Sequence, residues 1–245
     1  MNPNQHITEF LNDYCELSSP QYAVMLKGKW GSGKTHFINE YKNILNENKK
    51  KYIYVSLYGV SSFSEILSQF IKFSSTSKTL DNLVSTSFKF LKHNNTINKI
   101  ISDEALQLDI LDKISAFKDS ILIFDDLERC DVELNKILGF INKFVEHKKF
   151  KVIIIANEKE IDKKNKRYKE IKEKLIGKTF EVVSNTELAY DSFIKVIKEN
   201  KLFIDYKSDI ITIYEQLGYN NLRVFRQVIL DFDRLFLELF IIDSH

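Results

Sequence analysis

Residues 28–35 read Gly28-Lys29-Trp30-Gly31-Ser32-Gly33-Lys34-Thr35, a complete G-x-x-x-x-G-K-[ST] phosphate-binding loop. The apolar run Tyr22-Ala23-Val24-Met25-Leu26 before it reads as a strand, and His36-Phe37-Ile38-Asn39-Glu40-Tyr41 opens a helix after it. The motif needs that context, because the loop amides and the helix N-terminus must converge on one anion. Glycine permits the positive φ angles that turn successive N–H groups into a nest. Lys34 is expected to reach the β- and γ-phosphates, and the Thr35 hydroxyl to ligate Mg²⁺. The eight loop residues, with His36 behind them, are the expected nucleotide contacts.

The complementary half of such a site is an apolar strand ending in acid. Ser120-Ile121-Leu122-Ile123-Phe124 runs into Asp125-Asp126-Leu127-Glu128-Arg129, which is the Walker B arrangement. Asp125 can hold Mg²⁺ beside Thr35. Asp126 is the first candidate to accept the attacking water's proton, and Glu128 the second. Acids at a strand end can also simply cap the next helix; the phosphate loop earlier in the chain favours the chemical reading. The strand 151–156 ends in Asn157, which can orient water or the γ-phosphate in the sensor 1 position, although Asn is also an ordinary turn residue there.

Around these motifs the chain alternates strands and helices. A helix is expected over residues 6–17, strands at 52–57 and 180–183, a helix opening at 61–65 and another from about Val132. Residues 74–104 are rich in Ser, Thr, Asn and Lys and read as helices joined by loops. No hairpin signal occurs, so the expectation is an α/β fold: a parallel sheet covered by helices on both faces. From Glu187 only helical periodicity remains, in the stripes Tyr190/Phe193/Ile194/Ile197, Ile210/Ile213/Tyr214/Leu217 and Leu222/Phe225/Ile229/Phe232/Phe236. The expected division is an α/β domain over 1–185, with a helical excursion at about 60–117, and a small all-helical domain over 186–245.

Composition narrows the function classes. A net charge of +2 over 245 residues gives no general case for nucleic-acid binding. The lysine runs at 48–51, 147–149 and 163–167 fall between expected elements, where they read as solvated loops. Cys15 and Cys130 have neither zinc-site nor disulfide-framework spacing and suggest a reducing compartment. No signal peptide is visible at residues 1–6, and the most apolar late run, 235–242, is short and carries Glu238. The expectation is a cytoplasmic protein without a transmembrane segment.

The G-x-W-G-x-G-K-[ST] form of residues 28–35 resembles the Walker A motif of the KAP family of P-loop NTPases. Ile123-Phe124-Asp125-Asp126-Leu127-Glu128-Arg129-Cys130 is similar to that family's D-D-L-D-R, with Glu128 in place of its last Asp. Asn221-Leu222-Arg223 is similar to the N-P-R that begins a C-terminal lid helix. The resemblance spans roughly residues 5–235. It implies an AAA+-related ATPase with a helical lid, ATP and Mg²⁺ as ligands, and a switch or assembly role; many bacterial members accompany defence against phage. It also gives Arg223 the part of a sensor 2 arginine on the γ-phosphate. Many relatives insert transmembrane helices between Walker A and Walker B, which residues 60–117 lack.

The reading is therefore an ATP-binding, hydrolysing regulatory NTPase that self-associates or acts through a protein effector. No Asn-Lys-x-Asp base-reading motif argues for GTP, since Ala156-Asn157-Glu158-Lys159 has the wrong order. The rivals are a small-molecule kinase, for which an arginine-rich lid would be expected, and a DNA-loading or sensor subunit with little turnover. Apart from the lid, no arginine after Walker B obviously reaches the chain's own γ-phosphate. A neighbouring copy is expected to supply that charge, with Arg167 or Lys174 as candidates.

Overall fold

The computed structural model describes residues 2–75, 119–164, 168–197 and 201–242. Five strands form one all-parallel sheet: β1 (Ala23–Lys27), β2 (Tyr52–Ser56), β3 (Ile121–Asp125), β4 (Lys151–Ala156) and β5 (Ile176–Glu181), in the order β2-β3-β4-β1-β5. The central strands are short, β-branched and apolar on both sides, as burial on both faces demands. The pleat divides them between two cores. Met25, Val55, Phe124 and Ile154 point to one face; Val24, Leu26, Ile123 and Ile155 point to the other.

The second face is covered by α1 (Gln5–Glu16) and α2 (Lys34–Glu47), whose Ile7, Leu11, Tyr14, Ile38 and Tyr41 are all at most 1% exposed. Tyr14 also stitches α1 to the sheet: its hydroxyl accepts from the Val152 N–H (2.9 Å) and donates to the Tyr22 carbonyl (2.8 Å). The first face is covered by α3 (Phe63–Ser75) and α4 (Leu134–Glu146), through an aromatic run in which Phe63, Phe140, Phe144 and Phe150 meet mostly edge-on. Each fully buried ring of this kind contributes about 1.5–3 kcal/mol.

Two helices that the sequence reading leaves as loop close that side, α5 (Glu158–Lys164) and α6 (Tyr168–Leu175). The lysine run starting at Lys163 thus begins inside a helix; residues 165–167 lie outside the described residues. Glu158 explains the order. It pairs with Lys27 at 3.3 Å and with Lys172, and accepts from the Tyr168 hydroxyl at 3.1 Å. Burial pushes its carboxyl up, but those three partners outweigh it and hold the pKa below the usual range.

The last strand is displaced from its expected position at 180–183 to Ile176–Glu181. It is an edge strand of mixed exposure, so its pattern is not the apolar run of a central strand. Gly177 is required there, since a Cβ would lie 2.5 Å from the Tyr22 ring.

From Thr186 every described element is helical: α7 (Thr186–Ile194), α8 (Lys201–Asp205), α9 (Lys207–Gln216) and α10 (Leu222–Ile242). They enclose their own cluster of Tyr190, Ile194, Phe203, Tyr214, Phe225 and Ile229, with Tyr214 stacked on Phe225 at 4.0 Å. The expected stripes are only partly buried. Ile213 (58% exposed), Leu217 (72%) and Phe232 (48%) are largely exposed, because a segment this small has too little interior for every apolar position. Of the expected helical excursion at about 60–117, α3 is described, and residues 76–118, with nearly all of the stretch 74–104, lie outside the described residues.

Candidate functional site

The sheet order brings the ends of β1, β3 and β4 side by side, with Lys27 opposite Ala156 and Phe124 opposite Ile154. Gly28, Asp126 and Asn157 therefore leave the same edge, the carboxyl end at which open parallel sheets bind ligands. From β1 the chain crosses to distant β2, opening a crevice at that edge.

The phosphate loop fills the crevice. Gly31 and Gly33 sit at φ +78° and +89°, a region costly for other residues. A Cβ on Gly28 would lie 2.4 Å from the Ser32 Oγ, so the loop closes on itself there. Gly33 leads into α2 with no side-chain cap, leaving that helix's first N–H groups to the loop's interior. Lys34 is buried, and its Nζ donates to the carbonyls of Gly28 (2.8 Å) and Lys29 (3.0 Å). Burial lowers its pKa, opposed by the carboxylates of Glu128, Asp125 and Asp126.

Those carboxylates differ in environment. Asp125 is 1% exposed and accepts the Tyr54 hydroxyl (2.7 Å) and the Asp126 N–H (2.8 Å). Burial still raises its pKa above the usual aspartate range. Asp126 adopts a left-handed conformation, φ 58° and ψ 39°, tolerated by Asp better than by most residues. Its pKa is raised too, by burial first, then by the charges of Asp125 and Glu128. Glu128 is 4% exposed and accepts the Trp30 indole N–H at 2.8 Å, tying Walker B to the middle of the phosphate loop.

A cleft of about 300 Å³ opens between the loop and the helical segment, at the small end of ligand-pocket sizes. Trp30 through Phe37 line it, with Asp126, Arg129, Arg223 and Arg226. Of the expected site residues, Trp30, Gly31, Ser32, Gly33, Lys34, Thr35, His36, Asp126 and Arg223 come together in this cleft. Gly28, Lys29, Asp125, Glu128 and Asn157 do not line it. Asn157 is 6% exposed, and its carbonyl accepts the Glu160 N–H that starts α5. His36 is exposed and lies 3.5 Å from Glu40.

Three contacts escape the sequence reading because each joins residues far apart in the chain. The Asn4 amide exchanges two hydrogen bonds with the Val183 backbone (2.9 and 3.0 Å), and the Ser184 hydroxyl donates to the Ser32 carbonyl (3.2 Å). The Leu222 N–H, in the first turn of α10, donates to the Gly31 carbonyl at 2.9 Å, while Asn221 Oδ1 caps that turn through Arg223 N–H (3.1 Å). Arg129 is the fourth omission. Arg129, within Walker B itself, lines the cleft wall, a place the sequence reading did not give it. Arg167 lies outside the described residues.

A magnesium ion fits this donor set in one way. Among the described residues no cluster of three His, Cys, Asp or Glu side chains could hold a metal unaided. Mg²⁺ prefers one or two protein oxygens together with phosphate and water. Thr35 and the buried Asp125 carboxylate, whose ionisation burial resists, are donors of that kind.

An all-parallel sheet in this order, with a G-x-x-x-x-G-K-T loop after β1 and paired acids at the end of β3, defines a P-loop NTPase with an additional strand between the loop strand and the Walker B strand. The chain belongs to the KAP family: the description "KAP family P-loop domain" matches residues 4–104 and 67–238. Among solved structures it is similar to Cdc6p from Pyrobaculum aerophilum, at TM-score 0.55 and 12% identity over 78% of this chain and 48% of that one. It is similar also to the Aeropyrum pernix ORC2 protein, solved as ADPNP–ADP complexes (TM-score 0.48, 12% identity, 79% of this chain, 51% of that one). A third is C. elegans PCH-2 (0.44, 13%, 80% and 47%). The chain spans about half the length of these three proteins, and the first likeness is one of fold alone. No curated protein matches it. Among the described residues no helix is long and apolar enough to cross a membrane.

Proposed function

We propose that this chain binds and hydrolyses ATP with Mg²⁺ and uses the nucleotide to set the position of its helical lid, residues 186–245, relative to the α/β domain, residues 1–185. The observation that carries the reading is the convergence of Lys34, Thr35, Asp126 and Arg223 on one cleft whose far wall is the lid. The loop amides and the first turn of α2 would receive the phosphates, and Lys34 would turn its ammonium from the loop carbonyls toward the β- and γ-oxygens. Val183, Leu188 and Phe193 offer an apolar seat for the base. Thr35 and Asp125 would hold the metal, which when bound neutralises charge on the β- and γ-phosphates.

Asp126, open to the cleft, would take the attacking water's proton, a contribution of about 10²–10⁴-fold. Glu128, turned toward Trp30, would hold the loop against Walker B. Asn157 would act through the backbone order at the β4 end. Arg223, exposed in the first turn of α10, would meet the γ-phosphate and close the lid on ATP rather than ADP. The output would pass to further copies or to an effector protein, and bacterial defence against phage is the setting we propose for it, in line with the family resemblance.

Lys34→Ala tests the reading. Removing one charge-assisted contact should weaken ATP binding at least about tenfold, measured by isothermal titration, and abolish phosphate release. Wild-type affinity in that variant would refute the assignment.

A further inference from the structure

Arg129 is held in an unusual way. Its guanidinium carbon lies 5.0 Å from the ring centre of Trp30 and 5.0 Å from that of Tyr58, so the cation is flanked by two aromatic faces. Trp30 is the third residue of the phosphate loop, and Tyr58 follows β2. The Arg129 carbonyl accepts the Gly59 N–H at 3.0 Å, fastening its backbone to the Tyr58 turn. Its Nε is buried with no hydrogen-bond partner among the described residues; the Asp126 carboxylate stands 3.8 Å away, too far for a hydrogen bond. Burying a donor without an acceptor costs stability, and an anion arriving in the cleft would relieve that cost.

The position of Asp126 decides which anion. A proton acceptor for the attacking water must stand within one water of the reacting phosphorus. A cation 3.8 Å from that carboxylate, against the loop, is therefore at the outermost-phosphate end of the cleft. The proposed base seat at Val183, Leu188 and Phe193 is built from the segment after β5 and from α7, not from Walker B.

We propose that Arg129 is a catalytic arginine supplied in cis: it meets the outermost phosphate and stabilises the charge spread over its oxygens as the bond to the leaving group breaks. The inference rests on the ATPase reading above. Trp30 and Tyr58 are positioning residues that fix the guanidinium plane before nucleotide arrives and screen it from water. Trp30 further couples that plane to Walker B through Glu128. No second copy is then required to complete the charge at the site.

The test compares steady-state ATPase and ADP affinity in wild type, Arg129→Ala, Arg129→Lys, Tyr58→Ala and Arg223→Ala. Arg129→Ala should lower kcat by at least about 100-fold with ADP affinity within threefold of wild type, which also reports an intact fold. Arg129→Lys should recover little, because an ammonium cannot lie as a plane between two rings. Tyr58→Ala should lower kcat less, at unchanged KM. An Arg129→Ala rate within threefold of wild type overturns the proposal and leaves the ATPase reading standing; an inactive wild type overturns both. An equimolar mixture of Arg129→Ala and Lys34→Ala should stay inactive. Recovered activity would show that the arginine acts across copies and would overturn the cis assignment.

Discussion

Three acids lie within four residues, and burial rather than identity separates their work. Asp126 carries a raised pKa because it is partly buried and because Asp125 and Glu128 crowd it with negative charge; Arg129 and Lys34 pull the other way. A base must be ionised to act, so kcat/KM should fall as pH drops through that raised pKa, above the range of an ordinary aspartate. Glu128→Gln removes one of the raising charges and should move the acid limb to lower pH. Arg129→Gln should move it to higher pH. A pH profile of kcat/KM for each variant checks both directions, and an unmoved limb would pass the base role to another group. The residues of the loop and Walker B were legible in the sequence because their chemistry is local: glycines at positive φ, a lysine and a threonine at a helix start, acids at a strand end. Arg129 was written in the same motif but was not legible as part of the site. Its role depends on Tyr58 and Trp30, brought to it by the β2–β3 pairing and the fold of the loop.

At the scale of elements, α10 is docked by its own first turn. Its Leu222 N–H enters the Gly31 carbonyl, and a Cβ on Gly31 would lie 2.0 Å from Asn221 Oδ1 and 3.0 Å from the Asn221 Cα. The neighbouring chain cannot yield by a simple rotamer change. Gly31→Ala also pays for a left-handed backbone, about 1–2 kcal/mol. Hydrogen exchange should show faster opening of residues 221–226 in that variant, with β3 and β4 as protected as in wild type. Equal protection throughout would mean the contact is incidental. The central strands and amphipathic helices were legible because apolar runs and stripes report burial directly. The bounds of the edge strand β5 and the helices α5 and α6 were not. These elements are held by Glu158 pairing with Lys27 and Lys172, and by Tyr22 over Gly177, contacts that leave no periodic trace.

For the molecule as a whole, the buried carboxylate of Asp125 costs stability at neutral pH. Its folded pKa is raised, so its contribution to stability is present below the unfolded pKa and lost as pH rises through the folded one. Asp125→Asn keeps one acceptor oxygen for the Asp126 N–H, sets an NH2 against the Tyr54 hydroxyl, whose oxygen can accept from it, and removes the buried charge. Without nucleotide it should raise Tm at neutral pH, with the gain shrinking as pH falls through the raised pKa. Thermal unfolding at several pH values measures this. A variant less stable than wild type at neutral pH would show that the buried charge is already compensated within the chain. The α/β architecture was readable at this scale from strand–helix alternation. How far the helical segment fills its interior was not, since Ile213, Leu217 and Phe232 look the same in sequence whether buried or exposed.

The chain contains a single tryptophan, and it stands in the phosphate loop. Trp30 is 45% exposed, bonded to a carboxylate and faced by a guanidinium, and charged neighbours of that kind alter indole emission. Every photon collected at tryptophan wavelengths therefore comes from the nucleotide site alone. The protein has an intrinsic optical probe, sensitive to loop movement and blind to the rest of the fold. Stopped-flow fluorescence of the unlabelled chain can time ligand entry and release and would report the proposed lid closure.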